Sequence, residues 1–185
     1  MRNVFTIYRK ELKSYFASPI AYLLMVVFAL IFGYIFYAGV AIFVTRGLES
    51  QMFGRGMPMD MNEWVIRPWM MNMSVIGLFM IPMITMRLFA EEKRSGTIEL
   101  LMTSPVRDTE IILGKWFAAL TMLVILLAVP ALNLSFLFAY GKPDWRPIVV
   151  GYLGLLLQGG ALLAIGTLIS TMTRNQIIAG GATFA

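Results

Sequence analysis

The chain has 185 residues, 59% of them hydrophobic and 14% charged, with a mean hydropathy of +0.77 and a net charge of +5. A soluble domain of this length needs roughly a quarter charged residues to cover its surface, so the composition excludes one and points to lipid as the solvent. With no cysteine and no histidine there is no disulfide, no thiolate or imidazole metal ligand, and not the commonest general base.

The first element in chain order is "RNVFTIYRKELKSYFASP". Helical spacing places Phe5, Tyr8, Leu12, Tyr15 and Phe16 on one face and Thr6, Arg9, Lys10 and Lys13 on the other. That is the pattern of an interfacial helix with its basic side toward anionic lipid. The alternative is a basic flank that does no more than orient the chain. At Ser18-Pro19 the chain is expected to enter the bilayer.

Apolar runs of about 20 residues suffice to cross a hydrocarbon core, and the sequence offers four. Ile20 to Val44 carries no charge. Met70 to Leu88 is interrupted by Asn72 and by Pro82, which should bend the helix without ending it, since neighbouring helices can satisfy a freed carbonyl. Phe117 to Tyr140 and Ile148 to Ser170 come next, separated by the turn "GKPDWRP". A fifth run begins at about Gln176 and is ten residues long at the end of the chain. The first span is too long for a signal peptide, and no small-residue cleavage site succeeds it.

Between the second and third spans lies "MRLFAEEKRSGTIELLMTSPVRDTEIILGKW", with ten charged residues from Met86 to Trp116. Ile98, Leu101 and Met102 share one side of a short amphipathic helix, which Gly96 separates from the preceding residues and Pro105 brings to an end. Asp108 and Glu110 supply the anionic residues that a helix start favours. Two short helices joined by a turn are therefore expected to project between the spans. Exposed ion pairs are worth less than about 1 kcal/mol, so stability alone is a weak reason for so many charges. Because spans alternate sides, ten of the fifteen basic residues fall on the side of the N-terminus and this stretch, which places that side in the cytoplasm.

Inside the spans, Asn133 and Gln158 must find partners away from lipid. Two roles are open to them, lining a substrate path or bonding one helix to another. Ala29 with Gly33, and Gly160 with Ala164, have the spacing for close helix approach. The segment Thr45 to Trp69 reads as an external loop, with Trp64 and Trp69 settling at the interface. Its Met52, Met57, Met59 and Met61 could suit a soft copper ion, but a flexible apolar loop explains them as well. No Walker-type phosphate loop is present, so any nucleotide would be bound by another chain.

The residues "RLFAEEKRSGTIELLMTSPVRDTEIILGK" resemble the cytoplasmic motif of type 2 ABC exporter permeases, the membrane subunits that pair with a separate ATPase. The opening "YRKELKSYFASPIAYLL" and the later "GYLGLLLQGGALLAIGTLISTMTRNQIIA" are similar to the gliding-motility type subgroup of that family. The resemblance covers nearly the whole chain. It implies that Glu91, Glu92, Gly96, Thr97, Glu99 and Pro105 belong to the region that meets the ATPase, with Arg9, Lys10 and Lys13 of the N-terminal helix close by. Such subunits usually have six spans, so the ten-residue fifth run suggests a C-terminally shortened permease.

The expectation is an all-α, polytopic transmembrane bundle forming one domain over residues 1–185. It has an interfacial N-terminal helix, a cytoplasmic coupling helix-turn, four complete spans and the start of a fifth. It would be a non-enzymatic permease of the cytoplasmic (inner) membrane, binding no metal or cofactor itself. ATP and Mg would sit on the partner ATPase, and a second permease copy or a homologous subunit would complete the pore. The competing class is a membrane scaffold that docks an ATPase without moving cargo. A membrane-embedded enzyme is disfavoured because every Asp and Glu falls outside the spans.

Overall fold

The computed structural model describes residues 2–52, 60–85, 88 and 106–172. Its elements are all helical: α1 (Arg2–Ala17), α2 (Pro19–Met52), a π-helical turn (Asn62–Ile66) leading into α3 (Arg67–Thr85), α4 (Asp108–Tyr140) and α5 (Trp145–Met172). Among the described residues, four helical stretches are long and apolar enough to cross a membrane. In hydrocarbon the backbone must satisfy its own polar groups, which makes the helix the default for such segments. The fifth apolar run lies outside the described residues.

The chain turns between α1 and α2 at Ser18, as expected. The Ser18 N–H donates to the Tyr15 carbonyl at 3.1 Å, and Pro19 opens α2, where its missing N–H costs nothing. At 34 residues, α2 is about 50 Å long, well beyond the roughly 30 Å of a hydrocarbon core. Its last turns, Thr45–Met52, were expected in a loop. They stay helical because loss of hydrophobicity ends a lipid span, not a helix. Thr45 bonds back to the Ala41 carbonyl at 3.0 Å, and Arg, Leu, Glu and Gln all propagate helix well.

The second span likewise starts earlier than the hydropathy suggests. The Asn62 N–H is capped by Asp60 Oδ1 at 2.9 Å, and the π-helical turn runs directly into α3. Trp69, expected at the membrane interface, is instead buried in the bundle. Its indole Nε1 donates to the Phe32 carbonyl of α2 at 3.2 Å, and its ring meets Phe36 edge-on at 5.7 Å. Trp64 stays partly exposed with the Arg46 guanidinium 5.1 Å above its ring. Pro82 sits within α3, which continues to Thr85.

The third span differs most. One helix runs from Asp108 to Tyr140, so the second of the two expected short helices is the first part of the span's own helix. Asp108 and Glu110 do occupy its first turn. The Arg107 N–H donates to Glu110 Oε2 at 3.3 Å, tying the helix start. Between Asp108 and Phe117 there is no proline, and the one glycine, Gly114, weakens a helix by only about 1 kcal/mol.

Close approach is made by glycines other than those expected. A Cβ on Gly33 would meet nothing within 4 Å, and one on Gly160 only ordinary contacts at 3.7 and 3.9 Å, while Ala164 is exposed. The seam of α5 runs instead through Gly151, Gly159 and Gly166. A Cβ on Gly159 would lie 2.4 Å from Leu123 of α4, and one on Gly166 would lie 2.5 Å from Thr85 of α3. The spacing suited an approach, but the one-residue shift from Gly160 to Gly159 turns the contacting face by about 100°. Around this seam, Phe28, Phe32, Trp69, Met73, Ile81, Met122, Leu126 and Leu163 form the core.

Candidate functional site

The site forms where α1 crosses the first turns of α4. Asn3 Nδ2 donates to Glu110 Oε2 at 3.1 Å, and the Tyr8 and Thr121 hydroxyls lie 3.2 Å apart. Between them the helices come close at Gly114. A Cβ there would stand 2.8 Å from Ile7 Cγ2 and 3.1 Å from the Val4 carbonyl oxygen. The missing side chain is what lets α1 seat against α4, since a packed interior leaves no slack for a methyl group.

The next residue is Lys115, a lysine with 1% of its side chain exposed. Its Nζ donates to Glu11 Oε1 of α1 at 3.0 Å and to the Leu88 carbonyl, just past the end of α3, at 2.7 Å. Glu11 is the only acidic residue of α1. A buried ammonium is tolerated only when paired and hydrogen-bonded, and both conditions are met. The Leu88 carbonyl it serves belongs to a turn tied to the end of α3, the Leu88 N–H donating to the Thr85 carbonyl at 3.1 Å. One side chain thus joins α1, α3 and α4.

Its position in the chain matters. Leu88 precedes the charged stretch and Lys115 comes at its end. The bond between them closes the base of the segment that carries Glu91, Glu92, Gly96, Thr97, Glu99 and Pro105. Those six residues lie outside the described residues. Arg9, Lys10 and Lys13 are all exposed on α1, but Phe5, expected on the opposite face, is exposed as well at 64%, because a spacing of four residues leaves it only about 40° from Arg9 on one flank. The opposite side, through Ile7 and Tyr15, packs on the core.

Of the two intramembrane polar residues, Gln158 is bonded across helices. Its Oε1 accepts from Ser74 Oγ of α3 at 2.7 Å, the partner that hydrocarbon requires. It also borders a cavity of about 20 Å³ with Met73, Gly77, Leu123 and Gly159, room for about one water. Asn133 is half-buried on α4 and does not line that cavity. The structure therefore does not bring the two together. Of the four loop methionines, Met57 and Met59 lie outside the described residues. Met52 projects outward, and Met61 packs onto Gly141.

Sequence reasoning missed Glu11 and Lys115. Signals existed: Glu11 is a lone acid among basic residues, and Lys115 is the last charge before an uncharged run from Trp116 to Tyr140. Pairing them requires knowing that α4 begins at Asp108. As the start of one continuous helix with the span, residues 108–116 present Gly114 and Lys115 to α1.

Comparison with known families gives one finding. The family model described as ABC-2 family transporter protein matches residues 5–185. No curated protein and no solved structure matches the chain.

Proposed function

The chain belongs to the ABC-2 transporter family, and from that premise we propose that it is the membrane permease of an ATP-driven exporter. The observation that carries this reading is the Lys115 junction. It fixes the base of the charged segment to three helices at once, so a push on that segment reaches α1, α3 and α4 together. A separate ABC ATPase would bind ATP and Mg, hydrolyse the nucleotide and meet the permease at Glu91, Glu92, Gly96, Thr97, Glu99 and Pro105. The basic side of α1 (Arg9, Lys10, Lys13) would lie nearby at the membrane surface, with the N-terminus in the cytoplasm and the protein in the inner membrane. Two permease units, identical or homologous, would form the pore, and the gliding-motility type subgroup is the kin we infer.

Among the intramembrane polar groups, the Ser74 bond supports a joining role for Gln158 between α3 and α5, and Asn133 is our candidate for a substrate path. The test is co-purification from detergent with an ABC ATPase. The unaltered chain should retain the ATPase, and Glu92→Lys and Glu99→Lys should each lose it. Retention by both variants would move the docking surface elsewhere. Cargo movement in proteoliposomes, absent when only the permease or only the ATPase is present, separates an exporter from a scaffold that docks an ATPase.

A further inference from the structure

On its outer side, the crossing of α1 and α4 leaves a groove of about 500 Å³ bordered by Val4, Phe5, Tyr8, Leu113, Phe117 and Thr121. That volume lies within the range of small-molecule sites. Phe5 is 64% and Phe117 44% exposed, so the aromatic walls stand open. Among these apolar walls, the Tyr8 and Thr121 hydroxyls are paired 3.2 Å apart. The groove lies where the apolar run of α4 begins at Phe117, the level at which amphipathic groups sit in a bilayer.

Charge selects the occupant. Arg9 stands one helical turn after Phe5 and so shares its flank of α1. Lys13 stands a further turn along, and both are exposed. The one acid of the helix, Glu11, is turned inward and held by Lys115. The accessible charge beside the groove on α1 is therefore wholly positive, while on α4 Glu110, one turn before Leu113, is occupied by Asn3 Nδ2 and the Arg107 N–H. We propose that the groove seats an anionic phospholipid of the surrounding leaflet, with an acyl chain against Phe5 and Phe117 and the headgroup phosphate held by Arg9. The seated lipid fills the outer angle between α1 and α4 and so acts as a wedge on the same crossing that Gly114 and Lys115 form from inside. This inference needs only the membrane placement of the chain and stands apart from the identity of any ATPase.

The experiment is native mass spectrometry of the purified protein in detergent, titrated with phosphatidylglycerol or with phosphatidylcholine of the same acyl chains. The unaltered protein should retain one phosphatidylglycerol per chain, with a preference over phosphatidylcholine of about fivefold for each cation engaged. Arg9→Glu should abolish the preference, and Thr121→Trp, which fills the groove, should reduce retention of both lipids. Lys142→Glu, in the distant α4–α5 turn, should change neither. Should Thr121→Trp fail to give a helical, monodisperse protein, Phe5→Ser at the exposed wall reads the same loss. Equal retention of the two lipids by the unaltered protein would mean ordinary annular lipid and overturn the proposal. So would undiminished phosphatidylglycerol retention in a folded groove variant, or a second copy of the chain found covering the groove.

Discussion

At the scale of the single residue, Lys115 shows how one side chain decides whether three helices behave as a unit. Removing one member of a buried ion pair costs more than never having had the pair, because the remaining charge stays desolvated. Lys115→Met should lower stability by about 3 kcal/mol, the lower end of the range for breaking such pairs, because Glu11 keeps partial access to solvent. Combining it with Glu11→Leu should recover part of the loss, the Leu88 carbonyl still lacking its donor. Unfolding midpoints in a fixed detergent measure both. A single variant within about 0.5 kcal/mol of the unaltered protein would show that the pair holds nothing together. Gly114 belongs to the same account, because the pair forms only if α1 can come close enough to offer Glu11.

At the scale of the element, the spans were legible and the ends of the helices were not. Hydropathy reports contact with lipid, so Ile20 to Val44 and Phe117 to Tyr140 fell inside helices as expected. Thr45–Met52 and Asn62–Trp69 are helical but polar enough to look like a loop, and Asp108–Trp116, expected as a separate short helix, is continuous with the span. The candidate site lay largely in that blind margin. Its charged face (Arg9, Lys10, Lys13) could be read from periodicity, whereas the Glu11 to Lys115 pair joins residues 104 apart and needs the fold. Helix seams were half legible for a related reason: small residues announce that an approach is feasible, not which face makes it. Two substitutions separate the cases. Gly166→Val meets Thr85 at a Cβ distance of 2.5 Å and should cost about 1–3 kcal/mol by overpacking. Gly33→Val meets nothing within 4 Å and should stay within about 0.5 kcal/mol. Thermal unfolding in detergent reads both, and equal losses would remove the argument for the α5 seam.

At the scale of the whole molecule, the bundle turns apolar surface outward along its length. Leu30, Tyr34 and Tyr37 of α2 are each more than two-thirds exposed, a surface that lipid or another chain must cover. Orientation can be checked directly because the chain contains no cysteine of its own. With the N-terminus inside, Met52→Cys at the far end of α2 should react with an impermeant maleimide in intact cells. Arg9→Cys should react only after the membrane is opened. The reverse pattern would invert the molecule and place the charged segment on the wrong side for any ATP-dependent partner.

The bond from Lys115 to Leu88 spans 27 positions of the chain. Bringing the ends of a free loop of that length together costs about 3 kcal/mol of configurational entropy. Here that loss is already incurred when the bundle folds, before any partner arrives. For any partner that binds this segment, the two residues that bracket it, Leu88 and Lys115, start from a fixed separation. The lysine thus acts as a cross-link on the unbound state, and its benefit should be read in the affinity of the complex as well as in the stability of the fold.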